Sequence, residues 1–200
     1  RINYRTTHEI LRFGLQVLGD GTFDDLDDGS DQHDFAGYHS FLHGPEPVFV
    51  GERSEQAQHA ALIKQIKQWI DGGVDPEEIA LCARTGSSVG GAMQALKASG
   101  LPTCELGQDE ARANGVRLGT MHRLKGLEFR CVAIIDCDDD SMPAHWDLTP
   151  ESEDAVQRAH DLQRERCLLY VAATRARDGL WVGWSGKPSR FLPEGVSDSS

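Results

Sequence analysis

Four guanidiniums crowd one short stretch of this chain, Arg164, Arg166, Arg175 and Arg177, around the apolar run Cys167-Leu168-Leu169-Tyr170-Val171-Ala172-Ala173. A guanidinium is a planar, permanently charged fork that donates two hydrogen bonds at once, which suits phosphate oxygens. Read as one helix, the stretch puts Leu168, Ala172 and Arg175 on a shared face, so packing of that face would fix Arg175 at the rim. The plainer alternative is an arginine-rich helix end that complements the macrodipole and caps carbonyls. More groups of the same chemistry recur elsewhere. Tyr4 and Arg5 precede Thr6-Thr7-His8-Glu9, a capping-box pattern that starts a helix, and helix N-termini are places where phosphates are met. Arg84-Thr85 and Thr120-Met121-His122, with Lys125 beyond, each follow an apolar run.

The elements that must position these groups follow from periodicity. Val48-Phe49-Val50, Ile79 to Ala83, Val116 to Met121, Cys131 to Asp136 and Leu180 to Trp184 are strand candidates. The run Ile79-Ala80-Leu81-Cys82-Ala83 is apolar throughout, as a strand buried on both faces must be. Helical spacing covers Thr6 to Leu18, Ser54 to Gly72 and a segment capped by Ser87 or Ser88 that closes at Gly100. A longer helix is expected from about Glu153 to Arg177. Strands alternating with helices indicate an α/β fold with a mostly parallel sheet covered on both faces. In that architecture ligands meet the C-terminal ends of the strands, where Arg84, Thr120, His122 and Lys125 fall.

Composition bounds the class. Two hundred residues, 39% hydrophobic and 26% charged, suit a single globular domain spanning 1–200. No apolar run is long enough to span a membrane, and the N-terminus lacks the basic-then-apolar pattern of a secretory leader. The five cysteines are scattered without a Cys-x-x-Cys pair, which predicts buried thiols in a reducing, cytoplasmic setting and no structural metal. A net charge of −12 argues against nucleic-acid binding by bulk electrostatics, though not against a focused groove. Seven aspartates fall between 20 and 34, and 20–46 is expected to be an acidic mobile loop, with 186–200 a C-terminal tail. An EF-hand register fails there, because Leu26 would take a ligand position. Asp138-Asp139-Asp140 reads as an exposed acidic turn rather than a metal site.

Four segments occur in a telling order: Asn3-Tyr4-Arg5-Thr6-Thr7, Ile79 to Thr85, Thr120-Met121-His122-Arg123-Leu124-Lys125-Gly126-Leu127-Glu128-Phe129, and Leu169-Tyr170-Val171-Ala172-Ala173-Thr174-Arg175-Ala176. Together they resemble the C-terminal motor motifs of superfamily 1 DNA helicases of the UvrD/Rep type, which lie in the second RecA-like domain. The resemblance implies a RecA-like α/β sheet facing a first domain, with ATP and Mg²⁺ between the two and single-stranded DNA across the top. By that resemblance Arg5 and Arg175 would reach the γ-phosphate, Tyr4 would stack on adenine, and Glu128 would contact the ribose. Arg84, Thr85, Thr120 and His122 would lie along the DNA backbone.

The departures also carry weight. No Gly-x-x-x-x-Gly-Lys-Ser/Thr occurs, and Gly86-Ser87-Ser88-Val89-Gly90-Gly91 lacks the lysine a P-loop requires, so ATP would be bound mainly by a first domain in cis. The isolated chain is expected not to turn ATP over. The large helical insertion usual between the Arg84 and Thr120 segments is missing, and Gly86 stands where family members often carry a DNA-touching side chain. The alternative to a motor domain is a non-catalytic helicase-like module that clamps DNA or a protein partner.

Overall fold

The computed structural model describes residues 6–19, 40–107 and 114–196 in full, and 2–3, 23–24, 32–33 and 39 by strand assignment alone. Tyr4 and Arg5 lie outside the described residues. Two short ladders come first: β1 (Ile2–Asn3) pairs in parallel with β4 (His39–Ser40), and β2 (Phe23–Asp24) pairs antiparallel with β3 (Gln32–His33). Six strands then form the main sheet: β5 (Val48–Glu52), β6 (Ile79–Ala83), β7 (Thr103–Glu105), β8 (Val116–Thr120), β9 (Phe129–Ile134) and β10 (Ala176–Ser185). Their order is β5-β10-β9-β6-β8-β7, and every neighbouring pair is parallel.

Helices cover both faces. On one, α1 (His8–Leu18) and α4 (Ala155–Ala173) pack Ile10, Phe13, Val17, Leu169 and Ala172 against Ala80, Cys82, Val132 and Val182. On the other, α2 (Glu55–Asp71) and α3 (Gly86–Ala98) pack Leu62, Ile66, Val89 and Leu96 against Ile79, Leu81, Ala83 and Ala133. The alternation is that of a strand whose successive side chains point to opposite faces, and all five residues of β6 are buried. Fully burying a leucine or isoleucine stabilises by about 1.5–3 kcal/mol, so each layer contributes heavily to holding the sheet in place. Gly14 lets α1 approach α4, because a Cβ there would stand 2.9 Å from the Tyr170 ring.

Several boundaries differ from the sequence expectation. α4 stops at Ala173 rather than Arg177, since Ala176 already pairs with Phe129 as the start of β10. Arg175 therefore stands in the turn beyond the helix, not on its packed face. β8 ends at Thr120, and Met121–Leu124 forms a 3₁₀ turn. Thr85, not Ser87 or Ser88, caps α3, accepting the Ser88 amide at 3.2 Å. The capping box is not formed either. Thr7 is the N-cap without a side-chain bond, the Thr6 hydroxyl donates to the Ala176 carbonyl at 2.6 Å, and Glu9 accepts from His43 and the Gly44 amide.

The described parts of the 20–46 and 186–200 segments are held to the core. Residues 40–44 lie against α1: the Ser40 hydroxyl donates to the Thr6 carbonyl at 2.7 Å, and the His8 amide to Leu42 at 2.7 Å. Beyond β10, Lys187 and Arg190 both clamp Asp139, Phe191 is buried, and the Arg166 guanidinium lies over its ring. Asp139 is thus a buried anchor rather than part of an exposed turn, and Asp140 alone of the three aspartates is exposed. No helix among the described residues is long and apolar enough to cross a membrane.

Candidate functional site

A parallel sheet begins all its strands at one edge and ends them at the other, and the predicted site residues sort between these edges. Glu128 immediately precedes β9, and Arg175 immediately precedes β10. They are neighbours at the N-terminal edge, where the Phe129 amide donates to the Arg175 carbonyl at 3.0 Å. Arg175 is half-buried, and its Nε donates to the Val171 carbonyl at 3.1 Å, so it does cap the end of α4. No carboxylate pairs with it among the described residues. Its neighbours differ: Arg177 and Arg130 share Asp178, and Arg164 pairs with Asp161. Glu128 borders a cleft of about 310 Å³ with Arg117, Leu127 and Phe129 on its walls.

The start of the chain is tied to this edge. Thr6 bonds Ala176, the residue after Arg175, and the Thr7 amide donates to the Arg177 carbonyl at 3.3 Å. Thr6 directly follows Arg5 in the sequence. Thr6 is fully buried, and sequence reasoning gave it no such role.

Arg84, Thr85, Thr120 and His122 gather at the C-terminal edge, past β6 and β8. Arg84 is turned inward. Its Nε and Nη2 reach the Glu165 carboxylate at 3.0 and 2.9 Å, and Nη2 also bonds Asp147. Burial opposes the charge on Arg84, but the bonds from Glu165 and Asp147 outweigh it and raise its pKa. Thr85 spends its hydroxyl on capping α3 and bridges to Ser87 and Ser88. His122 is exposed; partial burial and then the Arg84 charge hold its pKa below the usual histidine value, with Glu165 and Asp147 opposing. A Cβ at Gly86 would meet open space, so that glycine is not required by packing. Glu165 and Asp147 were also missed in the sequence. Each is many positions from Arg84, and a lone acid in a helix carries no signal of its partner.

The two edges are joined twice. The nine residues 120–128 run from the end of β8 to the start of β9, and so from Thr120 and His122 to Glu128. Helix α4 binds Arg84 through Glu165 and Arg175 through Val171.

A six-stranded parallel sheet with helices on both faces is a RecA-like α/β fold. The UvrD-like helicase C-terminal domain matches residues 104–187. Over that segment the chain is similar to the C-terminal domains of UvrD-like helicases. Among curated relatives, the ATP-dependent DNA helicase PcrA of Staphylococcus epidermidis is 38% identical over 106 residues, which covers 46% of this chain and 14% of that protein. PcrA of Staphylococcus aureus is 39% identical over 98 residues, 43% of this chain and 13% of that protein. The match thus spans about a seventh of their length. The C-terminal domain of a possible DNA helicase from Lactobacillus plantarum shares the fold, with a TM-score of 0.68, 18% identity and 98% of both chains covered.

Proposed function

We propose that this chain is the second motor domain of an ATP-dependent DNA helicase or translocase. The observation that carries the proposal is the tether of Thr6 to Ala176, which brings the neighbours of Arg5 and Arg175 together across 170 positions of sequence. Arg175 and Arg5 act as arginine fingers on the γ-phosphate of ATP held with Mg²⁺ by a first RecA-like domain. Tyr4 stacks on the adenine and Glu128 meets the ribose. Phosphoryl transfer needs little covalent help and much charge stabilisation, so an inserted arginine contributes on the order of a thousandfold or more in rate. Arg175 suits that role because no carboxylate among the described residues neutralises it, and its Nε bond leaves the fork anchored.

Thr85, Thr120, His122 and Arg84 hold the backbone of single-stranded DNA at the opposite edge. Because fingers act only on a closed cleft, hydrolysis depends on domain closure, and residues 120–128 with α4 pass the state of one edge to the other. The test is DNA-stimulated ATP hydrolysis by the full-length native polypeptide with Arg175→Ala. The expected result is a collapse of about a thousandfold with DNA binding intact. Unchanged hydrolysis would refute the finger role and favour a non-catalytic clamp.

A further inference from the structure

Two carboxylates of different character share the Arg84 guanidinium. Glu165 is 2% exposed, rises from the body of α4, and also accepts the Ala144 amide at 3.1 Å. Asp147 is 43% exposed, ends a surface 3₁₀ turn (His145–Asp147), and reaches the outer nitrogen Nη2. An exposed ion pair contributes little net free energy and is readily exchanged, whereas a buried pair is costly to break from one side. The turn that carries Asp147 is independently fixed. The Asp147 amide donates to Ala144 at 2.9 Å, and Thr149 is held by Asp161 through its amide and hydroxyl at 2.8 and 2.7 Å. A rotation of the Asp147 side chain would therefore release one N–H of Nη2, the other staying on Glu165, without unfolding the turn.

We propose that Asp147 is an internal stand-in for a strand phosphate, occupying the outer subsite of Arg84 until single-stranded nucleic acid displaces it, while Glu165 is a positioning residue that keeps the guanidinium aimed at the edge. Carboxylate and phosphate both present paired oxygens to the arginine fork, so one can replace the other with little rearrangement. The proposal rests on the reading of the C-terminal edge as the DNA edge. It explains how a chain of net charge −12 can keep an arginine at that edge without exposing a free guanidinium.

The consequence is a difference in sign. Removing any acid near a polyanion should tighten binding by through-space electrostatics, so a generic charge effect moves both residues the same way. The displaced-carboxylate account moves them in opposite directions. The experiment is the affinity of the full-length polypeptide for a fluorescein-labelled oligothymidine without nucleotide, for the native protein and Asp147→Asn, Glu165→Gln, Arg84→Ala, Asp147→Asn with Arg84→Ala, and Asp140→Asn. Asp147→Asn is expected to tighten binding about threefold, the scale of an exposed pair. Glu165→Gln is expected to weaken it about tenfold through misplacement of Arg84. The Asp147→Asn gain should vanish when Arg84 is alanine, and exposed Asp140→Asn should give no comparable gain. Asp147→Asn alone decides the case should Glu165→Gln fold poorly, because it lies at the surface. No tightening, or tightening that survives in the Arg84→Ala background, overturns the proposal while leaving the DNA edge standing. A native protein that does not bind the oligothymidine overturns the DNA-edge reading itself.

Discussion

At the N-terminal edge Arg175 is held by the Val171 carbonyl and meets no carboxylate among the described residues, whereas at the C-terminal edge Arg84 meets two. Among the described residues the same residue type is thus kept in opposite electrostatic states on one sheet. Unpaired charge at a fixed position is what stabilising a phosphoryl transition state requires, since any internal partner would have to be displaced at each turnover. A translocating strand calls for the reverse, a contact that can be made and released many times. The anchors differ accordingly. Around Arg175 the N-terminal edge is tied by neutral hydrogen bonds from Thr6 and Thr7, with the Arg130–Asp178–Arg177 ion pairs beside it, and the C-terminal edge is tied by Glu165, Asp147 and Asp161.

This contrast can be broken at either edge. The largest effect is expected from Arg175→Ala, as set out above, with hydrolysis lost and affinity for DNA kept. Next comes Thr6→Val, which leaves the Ala176 carbonyl buried without its donor, a loss of about 1–3 kcal/mol in stability. If the tether also positions Arg5 against Arg175, DNA-saturated hydrolysis should fall roughly ten- to a hundredfold, because small misplacements of catalytic groups are costly. The oligothymidine affinity should stay within about twofold, less than the tenfold that 1.4 kcal/mol represents. A fall in both would show that Thr6 supports the whole domain rather than one edge.

A smaller effect concerns His122. Its pKa in the free domain lies below the usual histidine value because of burial and the Arg84 charge. A nearby phosphate favours the protonated ring, so DNA binding should take up a proton. Affinity then rises as pH falls through the bound-state value and levels off below the free-state one, by at most about tenfold per pH unit. Titrating oligothymidine affinity against pH checks this, and His122→Asn should flatten the profile.

The smallest effect touches both edges alike. The His43 bond, with the Glu9 and Gly44 amides, holds Glu9 at about 2, below its ordinary 4.5. Bonds from Thr149 and Gln157 hold Asp161 at about 2, below its ordinary 3.8. Since both folded values are depressed, their stabilisation is complete above the ordinary carboxylate range and is lost as pH falls from there toward about 2. Melting temperatures across that window should decline in the native protein and less steeply in Glu9→Gln.

Most of the sheet was legible from apolar runs, and Ile79 to Ala83 needed no partner information to be read as doubly buried, but β7, Thr103-Cys104-Glu105, has no such run and was missed. The end of α4 was not. Ala-rich sequence favours continuing the helix through Arg177, but pairing of Ala176 with Phe129 claims the backbone for β10. The capping box failed for a similar reason, since the Thr6 hydroxyl is taken by a carbonyl that local pattern cannot see. Strand polarity located Arg84, Thr120 and His122 at one edge. The rule that ligands meet strand ends gave no place to Arg175 and Glu128, which stand where strands begin. The state of Arg84 depended on Glu165 and Asp147, far away in sequence, and spacing does not encode that.

The most direct measurement reads oligothymidine affinity and DNA-saturated ATP hydrolysis side by side in the full-length polypeptide for Arg175→Ala and for His122→Ala. Separate edges predict that Arg175→Ala abolishes hydrolysis with affinity unchanged, and that His122→Ala weakens affinity while hydrolysis at saturating DNA survives. Loss of both properties in both variants would contradict the division of the sheet into a nucleotide edge and a DNA edge.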